Sequence, residues 1–124
     1  MHMIINNSSM VPIYEQIMEQ IKAMIISGEL EEDTMLPSVR TLAKELKISA
    51  LTVKKAYDNL EAEGYTKTVH GKGSFVAKVS GQLVKEECLR NLESKLEYAI
   101  SSAKREGVTD EEIREIFNLI MLEE

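Results

Sequence analysis

Two helical patterns separated by two residues, a glycine-turned hairpin pattern directly after them, and a change of character past residue 78 predict a mainly α, α+β fold. The architecture they specify is an N-terminal winged helix-turn-helix over residues 1–78, with a β-hairpin as its wing. A two-helix C-terminal dimerisation segment follows over residues 79–124.

Residues 1–10 show no period, and Asn6, Asn7, Ser8 and Ser9 read as a turn or flexible lead. Pro12 suits a first helical turn, after which Ile13, Ile17, Ile21, Met24 and Ile25 trace one helical face as far as Gly28. The opposite face, with Glu15, Gln16, Glu19, Gln20 and Lys22, reads as solvated. Thr34 to Pro37 is extended, because the residue before a proline is pushed out of the α region, and is placed to pair with a later hairpin.

From Ser38 the spacing predicts two helices. Ser38 caps the first, whose apolar face is Val39, Leu42, Ala43 and Leu46; Ser49 caps the second, whose face is Val53, Ala56, Tyr57 and Leu60, ending at Gly64. Only Lys47 and Ile48 lie between Leu46 and the second cap, which is the length of a helix-turn-helix, a motif that sets its second helix into a DNA major groove. The β-branched and aromatic run Tyr65 to Val69, the turn His70-Gly71-Lys72-Gly73 and the return Ser74 to Ala77 make the wing.

Past a soft joint at Ser80, Gly81 and Gln82, Leu89, Leu92, Leu96, Ile100 and Ala103 recur at three-and-four steps up to Gly107. Thr109 with Glu112 forms a capping box for a last helix whose stripe is Ile113, Ile116, Phe117 and Ile120. Two such helices leave much of their stripes wet, so Leu89, Leu92, Leu96, Ile100, Ile113, Ile116, Phe117 and Ile120 are expected to pair with the same segment of a second chain.

The formal charge of -6 hides a segregation. From Ser38 to Lys78 there are eight basic residues against four acidic, whereas from Val79 onward there are six basic against eleven acidic. Phosphate responds to the field within a Debye length of about 8 Å, so a basic head tolerates an acidic tail. Among the head's residues, Arg40 can bridge phosphate or read guanine. Thr52, Lys54 and Lys55 lie in the first turns of the second helix, and Ser38 and Ser49 can offer N-terminal amides and hydroxyls to phosphate. Lys54 and Lys55 sit about 100° apart on the helix and cannot both face a groove. His70 and Lys72 at the hairpin tip suit the minor groove or its flanking phosphates, while Tyr57 is expected in the core.

Other chemistry finds little support. The single Cys88 has no ligand spacing and is expected to be a small buried apolar residue; His70 has no metal-ligating neighbour, no catalytic triad order appears, and Gly71-Lys72-Gly73 is too short for a nucleotide loop. The acidic Glu111, Glu112 and Glu115 read as a solvated helix face. No cofactor, metal or enzymatic activity is expected. No apolar run approaches the roughly 18 residues that span a bilayer, and the first residues lack a signal peptide's basic flank, so the expectation is a cytoplasmic protein with no membrane partner.

Pro12-Ile13-Tyr14-Glu15-Gln16-Ile17, Gly28-Glu29-Leu30, Leu36-Pro37-Ser38-Val39-Arg40, Leu42-Ala43, Thr52-Val53, Ala56-Tyr57, Leu60-Glu61, Gly64 and Gly71-Lys72-Gly73-Ser74-Phe75-Val76 together resemble the GntR family of bacterial transcription regulators. The short helical tail resembles that of the YtrA subfamily, which lacks a large effector domain. The resemblance implies a homodimeric winged-helix repressor on a roughly palindromic double-stranded operator, controlling its own or a neighbouring operon, a transporter operon being one candidate. It implies DNA contacts from Arg40, from Ser49, Ala50, Leu51, Thr52 and Lys54, and from His70 and Gly71. Many relatives carry an arginine or a polar residue where this chain has Ala50 and Leu51, so base reading there is apolar, for instance against a thymine methyl, or absent. Relatives also tend to have Pro-Gly or Gly-Asp around Glu32 and Asp33. Segment order places a small-molecule effector either between tail and head or at the dimer seam. The competing reading is a protein-protein interaction module that uses the winged helix as a docking surface.

Overall fold

The computed structural model describes residues 1–123. The chain divides into two compact units, Met1–Ser80 and Gly81–Glu124. In the first, helices α1 (Ile13–Ser27), α2 (Val39–Leu46) and α3 (Ala50–Ala62) precede an antiparallel hairpin of β1 (Thr66–Val69) and β2 (Gly73–Val76). The second holds α4 (Gly81–Arg105) and α5 (Asp110–Glu123).

The predicted stripes meet in one core. Ile17 and Ile21 from α1, Leu42 from α2, and Val53, Ala56 and Leu60 from α3 are closed from solvent together with Tyr65 and Val76 from the hairpin's base. Each large aliphatic side chain buried in this way stabilises the fold by about 1.5–3 kcal/mol, which is why three short helices hold together. Tyr57 belongs to this core, as its spacing predicts.

Caps decide where each helix stops. The Ser38 hydroxyl accepts from the Thr41 amide at 3.1 Å and the Ser49 hydroxyl from the Leu51 amide at 3.1 Å. At the end of α2, Lys47 takes a left-handed conformation with φ 57°; its amide donates to the Lys44 carbonyl, and the Ile48 amide reaches back to Ala43. The same paired closure ends α3, where Gly64 (φ 90°) supplies the left-handed residue without a Cβ penalty. This tight stop makes the two-residue turn between α2 and α3 possible.

The extended piece before α2 joins the hairpin as expected. Met35 bridges Phe75 antiparallel, the Asp33 and Leu36 amides donate to Val76 and Ser74, and Val76 donates back to Thr34. Asp33 itself is left-handed (φ 68°). Aspartate tolerates that region better than most side chains.

Five expectations need correction. Pro12 stands at the N-cap, one residue before α1, with extended ψ of 146°. The stretch before it contains the Asn6–Ser9 turn but is not a loose lead, because two glutamines tie it to α1. Gln20 exchanges a pair of hydrogen bonds with the Ile4 backbone (2.9 and 2.8 Å), and Gln16 does the same with Asn6 (2.8 and 3.0 Å) while also donating to the Val11 carbonyl. Gln16 is accordingly buried, and the face of α1 read as solvated is partly covered. Gly81 and Gln82 form the first turn of α4 instead of a joint. Cys88 is exposed: α4 is covered along so little of its circumference that a small apolar residue there finds no packing.

Candidate nucleic-acid interface

The first turns of α2 and α3 and one side of the hairpin enclose an open hollow of about 410 Å³. Arg40 enters it from α2, Ala50, Leu51 and Lys54 from α3, and Thr68 and Ser74 from the wing. Four candidates separated by up to fourteen positions are thus brought to one surface.

Arg40 is the second residue of α2, exposed, and has no acidic group within ion-pair distance among the described residues. Ala50 and Leu51 project into solvent from the first turn of α3, Leu51 being 78% exposed, while Thr52 is half-buried and Val53 turns into the core. The acids on the hollow's floor are engaged. Asp58 pairs with Lys54 at 2.6 Å, and Glu61 accepts from the Thr68 amide and hydroxyl at 3.3 and 3.1 Å. An uncommitted positive charge therefore stands at the N-terminal end of α3, where the positive end of the helix dipole already favours anions.

The two neighbouring lysines separate as helical geometry requires. Lys54 lines the hollow, whereas the Lys55 ammonium lies 4.1 Å from the centroid of the Tyr14 ring on α1, a cation–π contact. Tyr14 is the partner that sequence spacing alone did not reveal, because it lies 41 residues upstream.

At the wing tip, the Lys72 amide donates to Val69 at 2.9 Å, closing a turn whose third residue, Gly71, has φ 79° and so favours glycine. His70, Gly71 and Lys72 are all exposed there and lie outside the hollow's walls. The base of the wing is tied down by the Lys67–Asp33 ion pair at 2.6 Å, which raises the Lys67 pKa chiefly through that hydrogen bond.

The tail offers a different surface. α4 and α5 face each other across an open apolar groove of about 500 Å³, whose walls include Leu96, Ile100, Ile113, Ile116, Phe117 and Ile120. None of the described residues of α5 is buried, and Leu89 and Leu92 on α4 are about half exposed. The described residues contain no group of three or more His, Cys, Asp or Glu side chains able to hold a metal.

Residues 13–76 match the model of the bacterial regulatory proteins, gntR family. The HTH-type transcriptional repressor NagR of Bacillus subtilis is 49% identical over 60% of this chain, which spans only 30% of that protein's length. The HTH-type transcriptional repressor YtrA of Bacillus subtilis is 34% identical over 90% of this chain and 85% of its own length. Among solved structures, AraR(DBD) in complex with operator ORX1 superposes with a TM-score of 0.56 and 29% identity, over 62% of this chain and 99% of that one.

Proposed function

The chain belongs to the GntR family of bacterial regulatory proteins and is a DNA-binding transcription regulator, and we propose that it is a repressor that grips a palindromic operator as a homodimer. One observation carries the reading: the first turn of α3 stands clear of the protein beside an Arg40 that has no acidic partner among the described residues. In a helix-turn-helix that turn meets base edges while the preceding helix meets backbone. In this reading Arg40 and Lys54 take phosphate or guanine, and Ser38 and Ser49 present helix N-termini to phosphate. Ala50, Leu51 and Thr52 face the bases; His70, Gly71 and Lys72 reach the flanking minor groove. Lys55, held over Tyr14, serves the fold or an outlying phosphate.

The tail's uncovered groove supports the dimer. Pairing two copies covers both stripes and spaces two recognition helices about one DNA turn, roughly 10 base pairs, apart. A small effector acts on such a protein only through unequal affinity for its DNA-competent and incompetent arrangements, and the dimer seam is where those arrangements differ. No helix among the described residues is long and apolar enough to cross a membrane, and a role on operator DNA supports a cytoplasmic location.

The test is selection of bound duplexes from a random pool, followed by gel shifts across a salt series. A repressor of this design enriches a palindrome and loses affinity steeply with salt as counterions are released. Arg40→Ala and Thr52→Ala weaken binding with the circular dichroism and dimer mass unchanged. Unaltered affinity in both variants overturns the placement of the site, and a flat salt response with no shift returns the winged helix to a protein-docking role.

A further inference from the structure

The first turn of α3 offers a DNA groove little to hydrogen-bond with. The Ser49 hydroxyl oxygen accepts from the Leu51 amide, Ala50 carries no polar side-chain atom, and Thr52 is half-buried. Leu51 is 78% exposed, in the same hollow as Ala50 and Arg40. Single exposed leucines are ordinary on protein surfaces. This one occupies the place from which a helix-turn-helix reads bases, and the apolar group that a base pair shows in the major groove is the 5-methyl of thymine.

We propose that Leu51, with Ala50 beside it, determines specificity by packing on the 5-methyl of one thymine in each operator half-site. The proposal rests on the DNA-binding reading above and deepens it by naming the base and the atom recognised. Leu51 is poorly suited to cytosine, whose groove edge presents an amino donor that a leucine leaves unpaired, and well suited to thymine, whose methyl loses water on contact. Arg40 in the same hollow supplies charge without base identity at that position.

The experiment uses the full chain and the duplex it enriches from a random pool. Thymines are replaced one at a time by deoxyuridine, which removes the methyl and leaves every hydrogen-bonding group in place. At one symmetric thymine, the wild-type Kd rises about fourfold per methyl and about 15-fold when both half-sites are changed, the effect expected of one buried methyl-sized group. Leu51→Ala, shown folded by circular dichroism, binds thymine and uracil duplexes equally, whereas Arg40→Ala binds more weakly but keeps the thymine preference. Wild-type indifference to every replacement, an enriched half-site with no thymine, or an undiminished preference in Leu51→Ala overturns the proposal while leaving DNA binding intact. Failure to enrich any duplex sinks the DNA-binding reading and the proposal together.

Discussion

The phenolic hydroxyl of Tyr57 donates a 2.7 Å hydrogen bond to the carbonyl oxygen of Pro37, fastening the middle of α3 to the residue that precedes the cap of α2. Because the two helices carry Arg40 and Leu51 on their first turns, this bond helps fix how those side chains stand to each other. Burial, and secondarily the negative charge of Glu45, raise the Tyr57 pKa well above 10.0.

Tyr57→Phe keeps the ring but leaves the Pro37 carbonyl without its donor, so the unfolding free energy should fall by about 1–2 kcal/mol, measured by urea denaturation. The alkaline limb follows from the raised pKa. The phenol's contribution is fully present below 10.0, the unfolded value, and is lost as pH climbs through the higher folded value. Absorbance titration should show Tyr57 ionising only as the protein unfolds, and Tyr57→Phe should shrink that unfolding-linked step by the amplitude of one tyrosine.

Gln16 and Gln20 act on the N-terminal segment as a neighbouring strand would, each giving and receiving one bond at Ile4 and Asn6. Gln16→Ala removes three hydrogen bonds at a buried position. The Asn6 amide should then exchange with deuterium at the rate of an open chain, with a stability loss of about 1–3 kcal/mol. An unchanged exchange rate at Asn6 would mean that the segment is held elsewhere.

Phe117 stands 47% exposed on the wall of the tail groove. If that groove is the dimer seam, Phe117→Asp buries an unpaired carboxylate at the interface, a cost of several kcal/mol that a small interface cannot offset. Analytical ultracentrifugation should then report a monomer, and affinity for a two-half-site operator should drop far more than affinity for a single half-site. A variant that remains dimeric would place the pairing surface elsewhere.

What the sequence disclosed and what it withheld divide along a physical line. Periodicity, caps and turn glycines are local, so Ser38, Ser49, Gly64 and the Thr109–Glu112 box were legible, as was the pairing of the piece before Pro37 with the hairpin. Side-chain contacts between separate elements were not. Nothing in Gln16 and Gln20 announces that their amides bind a segment 10 to 16 positions earlier, and the Lys55–Tyr14 contact depends on how α1 crosses α3. Cys88 departs from what its residue type favours because α4 presents most of its surface outward.

The capping box at the start of α5 makes the tail sensitive to acid. The Glu112 carboxylate accepts from the Thr109 amide at 2.9 Å and hydroxyl at 3.0 Å, while the Glu112 amide donates to the Thr109 oxygen at 3.2 Å. Those bonds, the backbone one first, hold the Glu112 pKa below its ordinary 4.5. A depressed carboxylate stabilises the fold fully above the unfolded value, and that contribution is lost as pH falls through the folded one. The Thr109 amide resonance should therefore move with a midpoint below 4.5, and protection in the first turn of α5 should decline over the same interval. Glu112→Gln still offers an oxygen to the Thr109 amide, so it should retain the turn at neutral pH and abolish the titration. Thr109→Ala removes the reciprocal acceptor and should fray the turn at every pH. A Thr109 amide that titrates identically in wild type and Glu112→Gln would show that another carboxylate controls this helix start.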